Sequence, residues 1–267
     1  MTRRTALRAV GAAAGTLAVT GLRQPLLPSV REARAEVELP WTPIGFSQGG
    51  QPLVLRHLGD AQNRVLILGG QHGAPEANTI ELVNELTTYL VEHSDAIPKS
   101  LGLDILAITN PDGATAGSRQ YLSGVDPNRN WGGPDWASDA YDSNGRFRPG
   151  LGGPEPFSEQ ETRALADWML ANRPLLTVNY HSAGGFLFGT RDGKGGELTS
   201  AYVEASGYYA PTPGGGGSPL PYRATGSLNV WARTVGLNTL FIELSTPTAI
   251  EFERNLAGLL AVLPLLA

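Results

Sequence analysis

The sequence of 267 residues contains no cysteine and only four histidines. The lack of cysteine excludes disulfide bonds, thiolate metal sites and a lipidated cysteine anchor. Any metal ion must therefore be held by histidines and carboxylates. A chain of this length can bury a core large enough to fold without cross-links.

Basic residues are scarce beyond the N-terminus. The formal net charge is −5, and residues 1–35 hold six of the 20 basic and one of the 25 acidic residues. The rest of the chain then has 14 basic and 24 acidic residues, a net charge near −10. Nucleic-acid binding needs clustered lysine and arginine, so this balance argues against a nucleic-acid partner.

The first 35 residues have the features of an export signal. The pair Arg3-Arg4 precedes an apolar stretch from Ala9 to about Leu22, which is too short and too rich in glycine and alanine to span a bilayer stably. Ala33-Arg34-Ala35 is a small-x-small cleavage site. We predict a twin-arginine signal peptide over residues 1–35, periplasmic or extracellular location, and no stable membrane association after cleavage. An uncleaved membrane anchor is the alternative.

Four apolar runs bounded by glycine or proline predict buried strands of a mixed, largely parallel sheet. They begin at Val65, Ile105, Leu175 and Leu240. Helical patterns alternate with them, which indicates an α/β fold of three layers, α/β/α. Ligands of such sheets lie outside the carboxyl ends of the strands, so the polar residues ending the runs should share a cleft. These residues are His72, Asn110, His181 and Glu243.

Three helices are predicted. One opens at Pro75 and runs to about His93, one starts at a capping box over residues 158–161 and runs to about Asn172, and the last covers residues 249–263. Residues 131–156 and 189–221 lack a regular pattern and are predicted to be loops. The second, with glycines at 214–217, is either a mobile flap beside the cleft or a flexible surface loop.

His72 and Glu76 lie on a predicted strand-to-helix turn, and His181 ends another strand. Two histidines and one glutamate would hold Zn²⁺ with a fourth position open, which is typical of catalytic zinc. Glycines on both sides of His72 let the backbone approach a site closely. His57 and His93 have ordinary contexts and are interpreted as structural.

Arg119, Asn128 and Arg129 follow the strand that ends near Asn110. The planar guanidinium suits a carboxylate, so one arginine can grip a substrate carboxylate and the other can stabilise an oxyanion. The alternative for each residue alone is a surface salt bridge or an Asn-rich turn.

These motifs together resemble the zinc metallocarboxypeptidase family, in particular its short bacterial branch of murein peptide amidases. The resemblance covers about Val65 to Thr246, and it implies a catalytic domain over residues 36–267 with one zinc ion per chain. The motifs that carry it are the His72–Glu76 pair, Asn110-Pro111-Asp112-Gly113, Val125-Asp126-Pro127-Asn128-Arg129-Asn130, His181-Ser182 and Phe241-Ile242-Glu243-Leu244.

The resemblance also implies functional roles. The substrate would be a peptide with a free C-terminal carboxylate, cleaved next to its last residue, with murein peptides as one candidate. The implied residues are His72, Glu76 and His181 for zinc, Glu243 as general base, Arg119 for the oxyanion, Asn128 and Arg129 for the terminal carboxylate, and Tyr222, Ser182 and Leu228 for the rest of the substrate.

Two departures from the family pattern keep alternatives open. Three residues separate His72 from Glu76 where the family has two, and Pro127 replaces a small or apolar residue. Glu81 is the nearest substitute ligand, but it should point away. The altered spacing leaves open a catalytically inactive protein that binds peptide termini. A zinc deacylase of N-acyl amino acids is a separate alternative, because such relatives share the His–Glu pair and the Asn-Arg motif; the placement of Glu243 favours the peptidase.

Overall fold

Seven strands of the described residues form one mixed sheet, and two more form a separate hairpin. The computed structural model describes residues 38–190, 192–211, 219–220 and 222–267. In chain order the strands are β1 (Trp41–Phe46), β2 (Pro52–Leu58), β3 (Asn63–Leu68), β4 (Leu101–Leu106), β5 (Ala140–Tyr141), β6 (Phe147–Arg148), β7 (Leu176–Ser182), β8 (Phe186–Gly189) and β9 (Thr239–Leu244). The sheet order is β1-β2-β4-β3-β7-β9-β8, and β5 pairs with β6. The predicted signal peptide and the glycine run 214–217 lie outside the described residues.

Four parallel strands form the middle of the sheet. β3 pairs in parallel with β4 on one side and with β7 on the other, and β9 lies parallel to β7. β1, β2 and β8 add antiparallel strands at the two edges. The predicted strand from Ile105 in fact starts at Leu101, because buried Asp104 interrupts the apolar run and pairs with Arg64.

Helices cover both faces of this sheet. They are α1 (Ala77–Glu92), α2 (Pro111–Ala116), α3 (Gln160–Asn172), α4 (Gly193–Ser206), α5 (Leu228–Thr234) and α6 (Phe252–Val262). Leu86 of α1, Tyr202 of α4 and Leu259 of α6 belong to one buried apolar cluster. Met169 of α3 and Trp231 of α5 belong to a second. Alternate residues of β3 enter the two clusters, as the side-chain period of a strand requires. The three-layer α/β/α prediction is confirmed.

The start of α3 differs from the predicted capping box. Glu159 is the N-cap residue and makes no side-chain cap bond. Ser158 Oγ donates to Glu159 Oε1 at 2.8 Å, and Glu161 Oε1 accepts the backbone N–H of Gln48 at 2.9 Å. The turn between β1 and β2 therefore uses the glutamate that a capping box would have needed.

The 14-residue helix α4 lies inside a stretch that was predicted to lack regular structure. Leu198 and Tyr202, one turn apart, bury one of its faces. Three glycines at its start hide the pattern, because glycine is a poor helix former. None of the helices in the described residues is long and apolar enough to cross a bilayer.

The candidate site lies at the carboxyl ends of the parallel strands. His72 follows β3 by four residues, and Asn110 follows β4 by four. His181 is the next-to-last residue of β7, and Glu243 is the next-to-last residue of β9. The predicted convergence of strand ends is thus present in the structure.

Candidate metal centre and substrate cleft

A glycine-containing turn carries His72 from β3 toward α1. Gly70 and Gly73 have φ angles of 58° and 55°, which favour glycine. A Cβ on Gly73 would also collide with the carbonyl oxygen of Ser118. Residues 74–76 then form one 3-10 turn containing Pro75, which leads into α1. This turn accommodates the additional residue between His72 and Glu76.

The ligand atoms of His72, Glu76 and His181 converge. His72 Nδ1 lies 2.7 Å from Glu76 Oε1 and 3.1 Å from His181 Nδ1. His181 Nδ1 lies 3.0 Å from Glu76 Oε2, and one ligand atom from each residue lies within 4.8 Å of the others. All three side chains are buried. Glu81, the possible substitute, is exposed on α1, so Glu76 supplies the carboxylate.

Asp126 and Arg119 surround this cluster. His72 Nε2 lies 3.2 Å from Asp126 Oδ1, and Arg119 Nε donates to Asp126 Oδ2 at 2.9 Å. Arg119 Nη1 donates to Glu76 Oε1 at 2.8 Å, and Nη2 lies 2.9 Å from His72 Nε2. A buried carboxylate on the far nitrogen of a ligand histidine orients the ring. Arg119 therefore lies against the cluster, and its guanidinium contacts Asp126, Glu76 and His72.

The charges favour ionised Glu76 and neutral His181. Burial opposes ionisation of Glu76, but His72 and His181 hold its pKa well below the usual range. Burial lowers the pKa of His181 to about 4, despite the opposing effect of Glu76. Metal binding needs an ionised carboxylate and an unprotonated imidazole nitrogen. The electrostatics of these two residues therefore suit a cation.

Glu243 is half-buried and has one buried carboxylate oxygen. Its Oε2 has no hydrogen-bond partner among the described residues. Burial, followed by repulsion from Glu76, raises the pKa of Glu243 to about 8, while His72, Arg119 and Arg129 act in the opposite direction. Glu243 is thus within electrostatic reach of both the metal cluster and the arginines.

Asn128, Arg129 and Tyr222 form a second group. Arg129 is buried, its Nε donates to the Tyr141 carbonyl at 3.1 Å, and its Nη1 donates to the Asn128 carbonyl at 2.9 Å. Nη2 makes no hydrogen bond to another described residue, and the Arg129 Cζ lies 5.8 Å from the centre of the Tyr222 ring. The group therefore places a guanidinium edge beside a tyrosine, and its role in binding a substrate carboxylate stays a prediction.

Two predicted substrate residues have other partners. Ser182 Oγ donates to Asn78 Oδ1 at 2.9 Å, and its backbone N–H donates to Glu76 Oε2 at 3.2 Å, so Ser182 supports the metal cluster. The Leu228 side chain is fully buried in the apolar cluster of α3 and α5, and its N–H donates to Asn128 Oδ1 at 3.1 Å. Their substrate roles stay predictions; in the structure both hold other site residues in place.

The other histidines lie away from the centre. His57 Nδ1 lies 2.7 Å from Asp104 Oδ1, and His93 stacks on Tyr89. Both contacts agree with the structural interpretation.

The sequence interpretation gave no role to Asp126 or Gln71, which contact the two histidine ligands. Asp126 lies inside the motif that carries the resemblance, so its position was available as a signal. Gln71 directly precedes His72, and no pattern distinguished it, because its contacts come from distant segments.

The comparisons with known proteins agree with this geometry. Residues 42–205, more than half of the chain, match the zinc carboxypeptidase family, and the chain belongs to that family. Murein peptide amidase A of Escherichia coli (strain K12) is 30% identical over 167 residues, which cover 57% of this chain and 64% of that relative. The chain thus aligns with less than two thirds of the relative's length.

Solved structures share the fold. Murein-tripeptide amidase MpaA from Escherichia coli O157 has a TM-score of 0.65 and 25% identity, covering 87% of this chain and 95% of that one. Carboxypeptidase A from Helicoverpa armigera has a TM-score of 0.64 at 19% identity, covering 85% and 68%, and shows similarity of fold alone. The resemblance predicted from the motifs is confirmed. Tyr222, Leu228 and Glu243 lie beyond the residues that match the family.

The donor set fits the zinc ion on which this family depends. It consists of two imidazole nitrogens and a carboxylate, with no thiolate in the chain to compete. The unpaired oxygen of Glu243 adds a buried acceptor near this group. His72, Glu76 and His181 would hold the ion.

Proposed function

We propose that this protein is a zinc-dependent hydrolase that cleaves the peptide bond next to a C-terminal residue. The observation that carries the proposal is the position of Glu243. Glu243 is the direct partner of His181 across β7 and β9, and its buried Oε2 has no hydrogen-bond partner among the described residues. Its pKa is also shifted by Glu76 and His72 on the metal side and by Arg129 on the other. The reaction needs a base that lies between the metal site and the residues that bind the terminal carboxylate of the substrate.

Each residue would have a distinct task. Arg129 and Asn128 would orient the substrate through its terminal carboxylate. Glu243 would take a proton from the attacking water and return it to the leaving amine. Arg119 would stabilise the developing oxyanion, for which one Nη must leave Glu76 or His72. A zinc ion held by His72, Glu76 and His181 would supply Lewis acidity.

Peptides of the bacterial cell wall are the proposed substrates. Two relatives are named for murein peptides, and the predicted export signal would deliver the protein to the compartment where such peptides occur. General peptide scavenging would use the same residues, so the assay must include ordinary dipeptides.

A panel of substrates tests this function. The wild-type protein is assayed on murein tripeptide, on dipeptides with varied C-terminal residues, on their C-terminal amides and on N-acyl amino acids, with and without chelator. We expect chelator-sensitive cleavage of free-carboxylate peptides and little cleavage of the amides, which lack the anion that Arg129 would bind. Cleavage of N-acyl amino acids alone would identify a deacylase. Zinc and peptide binding without turnover would identify an inactive binding protein.

Export by the twin-arginine route is a separate proposal, supported by Arg3-Arg4, the apolar stretch and the Ala33-Arg34-Ala35 site. Residues 1–35 fused to a reporter should direct it out of the cytoplasm. The matched control replaces both arginines by lysine, which keeps the charge. Equal export of the two fusions would contradict the twin-arginine route.

A further inference from the structure

Gln71 lies between a proposed metal ligand and the loop that carries Asn128 and Arg129. It is 2% exposed. Its Oε1 lies 2.8 Å from His181 Nε2 and accepts a hydrogen bond from Asn179 Nδ2 at 3.0 Å. Its Nε2 donates to the Pro127 carbonyl at 3.1 Å. The proposed reaction assigns no task to this residue.

The neighbours of Gln71 determine which end of its amide faces His181. A carbonyl oxygen only accepts hydrogen bonds, so the amide nitrogen of Gln71 must face Pro127. Asn179 Nδ2 donates to the amide oxygen of Gln71, while the Oδ1 of Asn179 has no partner among the described residues. The Asn179 amide is thus oriented toward Gln71 although this leaves its own oxygen unpaired. Both contacts place the Gln71 oxygen against His181.

An oxygen at this distance requires a proton on His181 Nε2. A neutral imidazole carries one N–H, so Nδ1 then keeps its lone pair. Nδ1 is the atom that lies 3.0 Å from Glu76 Oε2 and 3.1 Å from His72 Nδ1. The lone pair therefore points to the place where the three ligand atoms converge.

We propose that Gln71 is a positioning residue, which fixes the Nε2–H tautomer of His181 and aims its Nδ1 at the zinc ion. The inference rests on the proposed ligand role of His181. The two histidine ligands would then be oriented by different chemistry, His72 by the carboxylate of Asp126 and His181 by a neutral amide.

Two variants of the full-length protein distinguish the effect of losing the hydrogen-bond acceptor from the effect of altered side-chain packing. Gln71→Met has similar length and offers His181 only a weak thioether acceptor, whereas Gln71→Glu keeps an acceptor for His181 and Asn179 but cannot donate to Pro127. Zinc affinity is measured by competition with a chromogenic chelator. In zinc-free protein, ¹⁵N-histidine NMR shows which ring nitrogen of His181 carries the proton.

We expect Gln71→Met to weaken zinc binding about 10–100-fold, the usual cost of losing such a partner, and to reduce the Nε2–H population of His181. Gln71→Glu should recover most of the affinity and the wild-type tautomer. Asn255→Ala is the matched control, because Asn255 is a buried amide whose hydrogen bonds go to Tyr202, Tyr208, Ile250 and Glu251, so it should alter stability and leave zinc affinity unchanged.

His181→Ala distinguishes the two possible failures. If it loses zinc while Gln71→Met binds zinc like the wild type, the role of Gln71 is wrong and the metal centre stands. If neither variant loses affinity, the metal centre of the proposed function is wrong. Should Gln71→Met not fold, the NMR spectrum of the wild-type protein decides. An Nδ1–H proton on His181 overturns the inference, and an Nε2–H proton together with zinc affinity near the wild-type value in Gln71→Glu supports it.

Discussion

His181 on β7 and Glu243 on β9 are direct partners across a parallel strand pair. The register places an imidazole of the metal cluster beside the carboxylate that has an unpaired buried oxygen. The general base and the zinc ligand would thus be positioned by one ladder of backbone hydrogen bonds rather than by a mobile loop. Placement on rigid secondary-structure elements keeps the distance and orientation between reacting groups constant.

Glu243→Gln should separate metal binding from turnover. The amide keeps the shape of the side chain but cannot accept the proton of water, so kcat should fall about 10²–10⁴-fold. Zinc content should stay near one ion per chain, measured by elemental analysis. Glu81→Gln on the exposed side of α1 is the control and should change neither quantity. Ordinary activity in Glu243→Gln would remove the general-base assignment.

Arg129→Ala should act mainly on substrate binding. Loss of a charge-assisted hydrogen bond to the substrate carboxylate should raise KM about 10–100-fold, with a smaller change in kcat. The same variant is assayed on a C-terminally amidated peptide. Because that substrate has no carboxylate for Arg129, the substitution should change its KM little. An equal rise of KM on both substrates would contradict the role of Arg129 in binding the carboxylate.

Zinc affinity should rise with pH. Burial raises the pKa of Glu243 to about 8, so this group is largely protonated at pH 7 without the metal. A nearby cation favours the carboxylate, so zinc binding should release protons and tighten as the pH increases from about 6 to 8. Calorimetry in two buffers of different protonation enthalpy measures the release, which Glu243→Gln should reduce. A pH-independent affinity would be inconsistent with the raised pKa.

Gly73→Ala should disrupt the turn that brings Glu76 to His72. Gly73 has a φ of 55°, and its Cβ would collide with the Ser118 carbonyl. The matched control is Gly117→Ala, where φ is 73° but no atom lies within 4 Å of the added Cβ. Both variants should lose about 1 kcal/mol from the strained backbone. Only Gly73→Ala should also lose zinc affinity, and equal zinc affinity in both would show that the close approach is unimportant.

Glu161→Gln should stabilise the fold at neutral pH. Burial, with repulsion from Asp112 and Glu159, raises the pKa of Glu161 above its usual 4.5. The folded state therefore holds this proton more tightly than the unfolded state, and the free energy of unfolding falls as the pH rises above about 4.5. The neutral amide removes this loss, which should raise the Tm at pH 7 in a thermal unfolding measurement. Exposed Glu155→Gln is the control; a lower Tm in Glu161→Gln would show that its carboxylate bond to Gln48 outweighs burial.

The sequence predicted the middle of the sheet because burial on both faces leaves long apolar runs such as Val65–Leu68. It did not predict the full extent of β4, where Asp104 is satisfied by Arg64 from a neighbouring strand. It gave a capping box for α3, but Glu161 found a partner on the turn between β1 and β2. Each difference comes from a polar side chain whose partner is distant in sequence.

The sequence alone determined the chemistry available to this protein. With no thiolate present, a metal could be held only by histidines and carboxylates, and the ends of the apolar runs indicated where His72, His181 and Glu243 meet. The roles of Glu76 as a ligand and of Glu243 as the base came from the resemblance to the family. Only the tertiary structure decided the orientation of the histidine rings. Ring orientation depends on hydrogen bonds with residues 50 or more positions away, in which Asp126 accepts from His72 and Gln71 accepts from His181. These contacts form only when distant segments of the chain fold together.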